Sequence, residues 1–404
     1  MDLASADGYF TTPGHESLRR DVREFAATQV APLVDEMERS GGVQYDLARL
    51  IAKKGWIGVT IGTEFGGMDA GHLAKTIMLE ELSAVSAAAG AITQASQLGV
   101  AKIMHHGSAE QQHQWLPTIA AGDCLPTIAV TEEGSGGNVL DMSATGVRDG
   151  DEYVLNGHKT FVGNSHVGDL HGVVVRTGPG SGGLSAFLVE STRPGFAVAS
   201  ERESISLPGF SFGTVTFTDC RVPAANLLGH EGDGLKVAYS SSLLYGRPNL
   251  TAVALGILRA VHSRTVEFCR VQRRRGRPLY ELPTVKDKVG RLHSLWMTAR
   301  LTAYHAAHLL DAGQICDAEL MNAKVVTVEN CLQAIDLAMD IHGAPGLDRV
   351  RGMSRLWSDA QAMRPPAGTS GIQFLRLAED ALNIAHRPWS SLLHRLRAPA
   401  SSGR

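Results

Sequence analysis

An α+β chain of three consecutive domains, helical, then β, then helical again, is what the apolar spacing of these 404 residues predicts. Two switches of periodicity carry the prediction. Apolar residues recur at helical spacing up to about Asp123, fall into short strand-like runs between Cys124 and His230, and resume long helical patterns from Glu231 onward. Residues 1–123, 124–230 and 231–404 are therefore read as an N-terminal helical domain, a middle antiparallel β domain and a C-terminal bundle. Composition agrees: 44% apolar and 20% charged residues with a formal charge of -3 describe a globular chain that folds by burial alone. Disorder, a collagen repeat and a disulfide miniprotein are excluded, and the basic excess of a nucleic-acid binder is missing.

In the first domain Leu18, Val22, Phe25, Ala26 and Val30 share one helix face, followed by Leu47, Leu50 and Ile51, then Ile77, Leu79 and Leu82. Ser108 with Gln111 forms a capping-box pattern opening a helix over 111–121, and Gly107 closes the helix before it. In the second domain the runs 153–155, 173–175, 186–189 and 214–217 read as strands. Asp149-Gly150 and Asn156-Gly157 are two-residue hairpin signals, and the glycine-rich segment 178–183 links two further strands, giving a barrel or sandwich. In the third, helices are expected over 235–273, 284–312, 317–342, 353–362 and 371–385, a four-helix-type bundle broken at Pro283 and at Gly343-Ala344-Pro345-Gly346. The Arg-, Pro- and Ser-rich tail 387–404 is expected to be loosely ordered.

Several chemistries find no foothold. The five cysteines are odd in number and never spaced C-x-x-C, which fits small core residues in a reducing compartment. The N-terminus carries no basic segment before an apolar run, and no apolar stretch reaches the ~18 residues of a membrane span, so a cytoplasmic protein is expected. Neither Gly134-Ser135-Gly136-Gly137 nor the 178–183 cluster lies between a strand and a helix, which removes Rossmann and P-loop readings. His105, His106 and His113 lack metal-ligand spacing, so no metal is expected, and no nucleophile elbow is present. Arg270, Arg273, Arg274, Arg275 and Arg277 follow a helix end, where cations complement the helix dipole or can grip a phosphate or an acidic carrier protein.

More specific segments follow one another along the chain: Glu64-Phe65-Gly66-Gly67, Glu80-Glu81-Leu82, Ala129-Val130-Thr131-Glu132, and Tyr153-Val154-Leu155-Asn156-Gly157-His158-Lys159. After them come Val222-Pro223, Asn226-Leu227-Leu228-Gly229, Gly232-Asp233-Gly234, Arg247, Gly276-Arg277-Pro278-Leu279, Gly343 and Gly346, Asp359-Ala360 and Gly368-Thr369. In this order and over nearly the whole chain they resemble the acyl-CoA dehydrogenase family. The resemblance implies an FAD-bound homo-oligomer, a dimer or tetramer, in which a carboxylate takes the α-proton of an acyl thioester while the β-hydride passes to the flavin. It implies flavin contacts at Val130, Thr131, Gly137, Phe161, Gly163, Arg273, Gly343, Gly346 and Thr369, and substrate contacts at Tyr245, Arg247 and Gly368.

The departures concern the chemistry. The family's base is a Glu before Gly-Thr, and here that position is Ala367; the alternative Glu beside the first bundle arginine is Gly246. Neither can accept a proton, which leaves Glu132, Glu133, Tyr245 and His342 as residues able to act as a base. The aromatic-x-Thr step reads Phe161-Val162-Gly163, the serine of A-G-S-D is Gly137, and the Gln before the third bundle stretch is Pro283. Together these losses imply weak, altered or lost FAD binding. The expected function is an acyl-CoA dehydrogenase-like flavoprotein with atypical chemistry in specialised metabolism, acting on an acyl-CoA or an acyl carrier protein. The rivals are a flavin monooxygenase on the same fold and an inactive partner subunit in a heteromer.

Overall fold

The computed structural model describes residues 8–199, 203–384 and 388–391. Six helices build the first domain: α1 (Pro13–Phe25), α2 (Val34–Ser40), α3 (Tyr45–Lys53), α4 (Gly71–Val85), α5 (Ala87–His106) and α6 (Ala109–Ala120). Ser108 accepts from the Gln111 amide while the Gln111 side chain accepts from the Ser108 amide, and Gly107 ends α5. The capping box thus starts α6 at Ala109, two residues ahead of the expected 111, because the cap residue itself precedes the helix.

The β domain contains β1 (Pro126–Ala129), β2 (Thr145–Asp149), β3 (Glu152–Gly163), β4 (Leu170–Arg176), β5 (Leu184–Glu190), β6 (Phe196–Val198), β7 (Phe212–Pro223) and β8 (Leu227–Leu228). Their order is β6-β7-β3-β2-β4-β5-β8, with β1 joined to β4. The sheet is mixed rather than wholly antiparallel: β1 and β2 each run parallel to β4, since the chain reaches β4 from each of them by way of β3 rather than by a tight turn. Asp149-Gly150 does turn β2 into β3. Asn156-Gly157 does not make a hairpin but lies inside β3 at a bulge against β7. Gly157 has φ +127°, and a Cβ there would stand 2.7 Å from Ala144 Cα, so the glycine serves a bulge and a close backbone approach.

The bundle comprises α7 (Gly234–Ser241), α8 (Arg247–Val271), α9 (Pro283–Asp311), α10 (Asp317–His342), α11 (Met353–Ala362) and α12 (Ser370–Ala381), with the arginine run forming a two-residue hairpin, β9 (Arg273–Arg274) and β10 (Arg277–Pro278). The expected helix 235–273 is interrupted by a π turn at Ser242–Gly246. Pro248 has no N–H to give to the Leu244 carbonyl, so the helical ladder cannot run straight through and re-registers one residue wider. That wide turn carries Gly246 and immediately precedes Arg247. Leu255, Ile257, Leu258 and Val261 on α8 are fully buried, each stabilising the fold by about 1.5–3 kcal/mol. All five cysteines are free and buried, as expected of core residues.

A buried charge cluster ties the first domain to the bundle. Arg19, Arg23 and Arg259 converge on the Glu81 carboxylate, at 3.2, 3.1 and 2.5 Å from Oε1, and Tyr304 donates to Glu80 at 2.6 Å. Lys102 on α5, fully buried, donates to the Gly172 carbonyl of β4 at 2.9 Å, and the Asp359 carboxylate of α11 accepts the Leu207 amide at 2.7 Å. Residues 387 and 392–404 of the expected loose tail lie outside the described residues. Within it, 388–391 are anchored: Asp317, just inside α10, accepts the amides of Trp389 and Ser390 at 2.8 and 2.9 Å. Among the described residues no helix is long and apolar enough to cross a membrane, and no His, Cys, Asp and Glu group could hold a metal.

Candidate functional site

A cavity of about 2300 Å³ lies where the three domains meet. The end of β1, the middle of β3 and the 132–139 loop form one wall; α5, the π turn with the start of α8, and the 363–369 loop form another. Of the residues singled out above, Val130, Thr131, Glu132, Glu133, Gly137, Phe161, Gly163, Gly246, Arg247, Ala367, Gly368 and Thr369 line this one space. Tyr245, Arg273, His342, Gly343 and Gly346 do not.

The wall that carries Phe161 follows from β3. Thr160 donates its amide to the Thr131 carbonyl at 2.8 Å, fixing Val130 and Thr131 beside Phe161. Phe161 has φ +53° and leaves 59% of its surface exposed, an unusual state for an aromatic residue and one that presents a flat apolar face. Positions 136 and 137 are open, with no atom within 4 Å of where a Cβ would stand. Position 163 is tight: a Cβ would lie 2.9 Å from Phe210 Cζ and 3.3 Å from Ala95 Cβ. A threonine at 163 would therefore press into the Phe210 ring. Gly163→Thr is expected to destabilise the fold by about 1–3 kcal/mol through overpacking; a thermal melt equal to that of the unaltered protein would show that Phe210 yields freely.

On the opposite wall Gly246 and Ala367, the two positions singled out above for a possible base, lie against each other. A Cβ built on Gly246 would lie 3.4 Å from the Ala367 Cβ. Ala367 has φ +55° and Gly368 φ +93°, so this turn is held in the left-handed region by its partners. Gln373 Nε2 donates to the carbonyls of Ala367 and Gly368 at 2.8 and 3.1 Å, and Lys324 Nζ to those of Arg364 and Gly368 at 2.9 and 2.7 Å. Burial, then the nearby Arg247 charge, pushes the Lys324 ammonium down to about 8. Burial likewise draws the Arg247 guanidinium down to about 10. Lys324 and Gln373 were not singled out from the sequence, although a lone lysine among Met321, Ala323, Val325 and Val328 on α10 was a visible signal.

The residues left as possible bases sort by their partners. Glu132 accepts from Lys159 Nζ at 2.7 Å, from the Ser143 amide and hydroxyl at 2.6 and 2.7 Å, and from the Ala144 amide at 3.0 Å. Against the upward push of burial, these bonds, Lys159 first, hold its carboxylate down to about 2. Tyr245 is buried with its hydroxyl on Thr60 Oγ1 at 3.0 Å, and burial raises it to about 12. His342 stacks on Phe268 with ring centroids 4.0 Å apart, and burial lowers it to about 4. Glu133 is exposed on the cavity and has no hydrogen bond or ion pair with a described residue.

Comparison with known proteins bears on the same arrangement. Family models described as acyl-CoA dehydrogenase N-terminal, middle and C-terminal domains match residues 12–123, 127–220 and 232–382. An acyl-CoA dehydrogenase of Bacillus subtilis (strain 168) is 32% identical over 368 residues, covering 90% of this chain and 97% of its own length. An acryloyl-CoA reductase (NADH) of Anaerotignum propionicum is 30% identical over 92% of this chain and 95% of its own. The structure of butyryl-CoA dehydrogenase from Megasphaera elsdenii superposes with a TM-score of 0.90 at 25% identity, over 92% of this chain and 99% of that one.

Proposed function

Because the chain belongs to the acyl-CoA dehydrogenase family, which is FAD-dependent, we propose that its cavity takes FAD and an acyl thioester, on CoA or on a carrier protein, without the family's carboxylate base. One observation supports the reading: Gly246 and Ala367 lie against each other on one wall of the cavity, so the place where a base would stand is lined by a hydrogen and a methyl group. The residues fit a flat ring system. Phe161 offers an exposed apolar face, Val130 and Thr131 offer backbone and hydroxyl groups beside it, and the open positions 136 and 137 leave room for a cofactor's approach. When bound, FAD supplies a hydride acceptor; the protein supplies position and dipoles.

In this reading Val130, Thr131, Gly137, Phe161, Gly163 and Thr369 hold the cofactor from one chain. Arg273, Gly343 and Gly346, which lie off the cavity, serve a second copy. Exposed Phe374 and Leu375 on α12 and Leu382 at its end, with Met297 and Leu301 on α9, support such an assembly of copies, a dimer or tetramer. Tyr245 acts on the site only through the turn it shares with Gly246. Of the residues named above as possible bases, Glu133 is the one that lines the cavity with no partner among the described residues, and it is the group left to exchange a proton there.

Saturating FAD should give a yellow protein with a raised Tm. Added butyryl-CoA or octanoyl-CoA should then reduce the flavin about 10²–10⁴-fold more slowly than a carboxylate-bearing site would. Colourless protein with an unchanged Tm would remove the cofactor, and rapid reduction would overturn the missing base. Oxygen uptake with an external flavin reductase would instead favour oxygenation.

A further inference from the structure

Arg247 stands at the cavity and forms no ion pair with a described residue. It is 8% exposed, and its one side-chain hydrogen bond runs from Nε to the Ala367 carbonyl at a long 3.4 Å. Asp317, the acid whose charge it feels, is occupied by the amides of Trp389 and Ser390. Taking a guanidinium out of water is unfavourable unless an anion or several acceptors replace the water. The adjoining positions 246 and 367 supply neither, and Lys324 adds a second buried cation to the same loop.

Gln94 lines the same cavity and is 9% exposed. Its side-chain amide makes no hydrogen bond with a described residue, and its Oε1 is buried without a partner. Helices α5 and α8, which carry Gln94 and Arg247, are joined by the Asn249 side chain donating to the Gln94 carbonyl at 3.4 Å. The lining between and around them is apolar, as at Ala91, Leu98 and Leu250. An apolar patch of the cavity beside a guanidinium with no ion pair and a Gln94 side chain whose Nε2 can donate matches a short aliphatic chain that ends in an anion.

We infer that the acyl group taken by this cavity carries its own carboxylate, received by the Arg247 guanidinium with the Gln94 amide beside it. The inference rests on the acyl-thioester reading above and narrows it to anionic acyl groups. Guanidinium and carboxylate pair through two parallel N–H to O bonds, a geometry a neutral acyl chain cannot use and an ammonium-bearing one opposes.

The test is calorimetric binding of three pantetheine thioesters, glutaryl, pentanoyl and 5-aminopentanoyl, to the FAD-supplemented full chain. The expected order is glutaryl tightest, by about 10-fold or more over pentanoyl, the size of one charge-assisted hydrogen bond in a buried place, with 5-aminopentanoyl weakest. Arg247→Gln should erase the difference and Arg247→Lys restore part of it. Ala367→Glu provides a variant that leaves Arg247 intact: the new carboxylate occupies the guanidinium and repels the ligand, so glutaryl should weaken by about 10-fold while pentanoyl changes little. Equal binding of glutaryl and pentanoyl, or a preference that survives Arg247→Gln, would overturn the inference alone. Failure of all three thioesters to bind would overturn it together with the acyl-thioester reading.

Discussion

Ala367→Glu should raise butyryl-CoA-dependent flavin reduction by about 10²–10⁴-fold, the usual worth of a positioned general base. The backbone is ready for it. Ala367 already holds a Cβ on its φ +55° turn, so lengthening the side chain adds no new strain at the Cα. The volume in front belongs to Gly246, which has no side chain to obstruct it, while Gln373 and Lys324 keep the turn in place. With Arg247 and Lys324 close by, a carboxylate at 367 would be ionised at neutral pH, the form that takes a proton. Stopped-flow bleaching of the flavin measures the gain. An FAD-loaded variant no faster than the parent would mean that the cavity no longer aligns an acyl α-carbon with position 367.

A second large effect is expected far from the cavity, at the charge cluster between the first domain and the bundle. Glu81 is 2% exposed and receives Arg19, Arg23 and Arg259; Arg19 and Arg259 are themselves largely buried. Glu81→Gln keeps the shape and removes the charge that Arg19, Arg23 and Arg259 share, and leaves Glu80 as the carboxylate paired with both Arg19 and Arg259; it should destabilise the fold by about 3–5 kcal/mol. In a chain of this size that is a fall in Tm on the order of 5 °C. Burial alone would raise the Glu81 carboxylate, but Arg259 and Arg23 hold it down to about 2 in the folded protein. A carboxylate depressed on folding stabilises at pH values above its ordinary pKa and loses that contribution as pH falls toward the folded value. The Tm gap between parent and variant should therefore be full at neutral pH and close between about pH 4.5 and 2. A gap unaffected by acid would assign the cluster's role to packing.

The helices expected over 317–342 and 353–362 coincide with α10 and α11 because long apolar repeats bounded by Gly, Pro and caps specify a helix locally. The capping box at Ser108 and the Asp149-Gly150 turn were legible for the same reason: each is closed by atoms a few residues apart. Asn156-Gly157 misled because an identical dipeptide serves a hairpin or a bulge depending on which strand lies alongside, and that strand, β7, begins 55 residues later. The parallel pairings of β1 and β2 with β4 were hidden likewise, since register between distant segments leaves no local pattern. Pro248 was visible, yet its consequence was not: a proline at that depth can end a helix or widen one turn, and packing around α8 selects the wide turn.

For the site, the sequence by itself determined which atoms are available. It put no carboxylate at 246 or 367, placed Arg247 beside a glycine, and set a phenylalanine at 161 and a glycine at 163, facts of covalent chemistry that no fold can change. The tertiary structure alone decided which of those atoms meet. It brought Gly246 and Ala367, 121 positions apart, together on one wall of the cavity; it spent Glu132 on Lys159, turned Tyr245 inward to Thr60, and filled the space beside Gly163 with Phe210. It also left Arg247 without an ion pair among the described residues. The physical reason is the same in each case: a side chain's chemistry is local, but its partner, its burial and hence its charge state are set by segments far away in the chain, which only the closed fold makes neighbours.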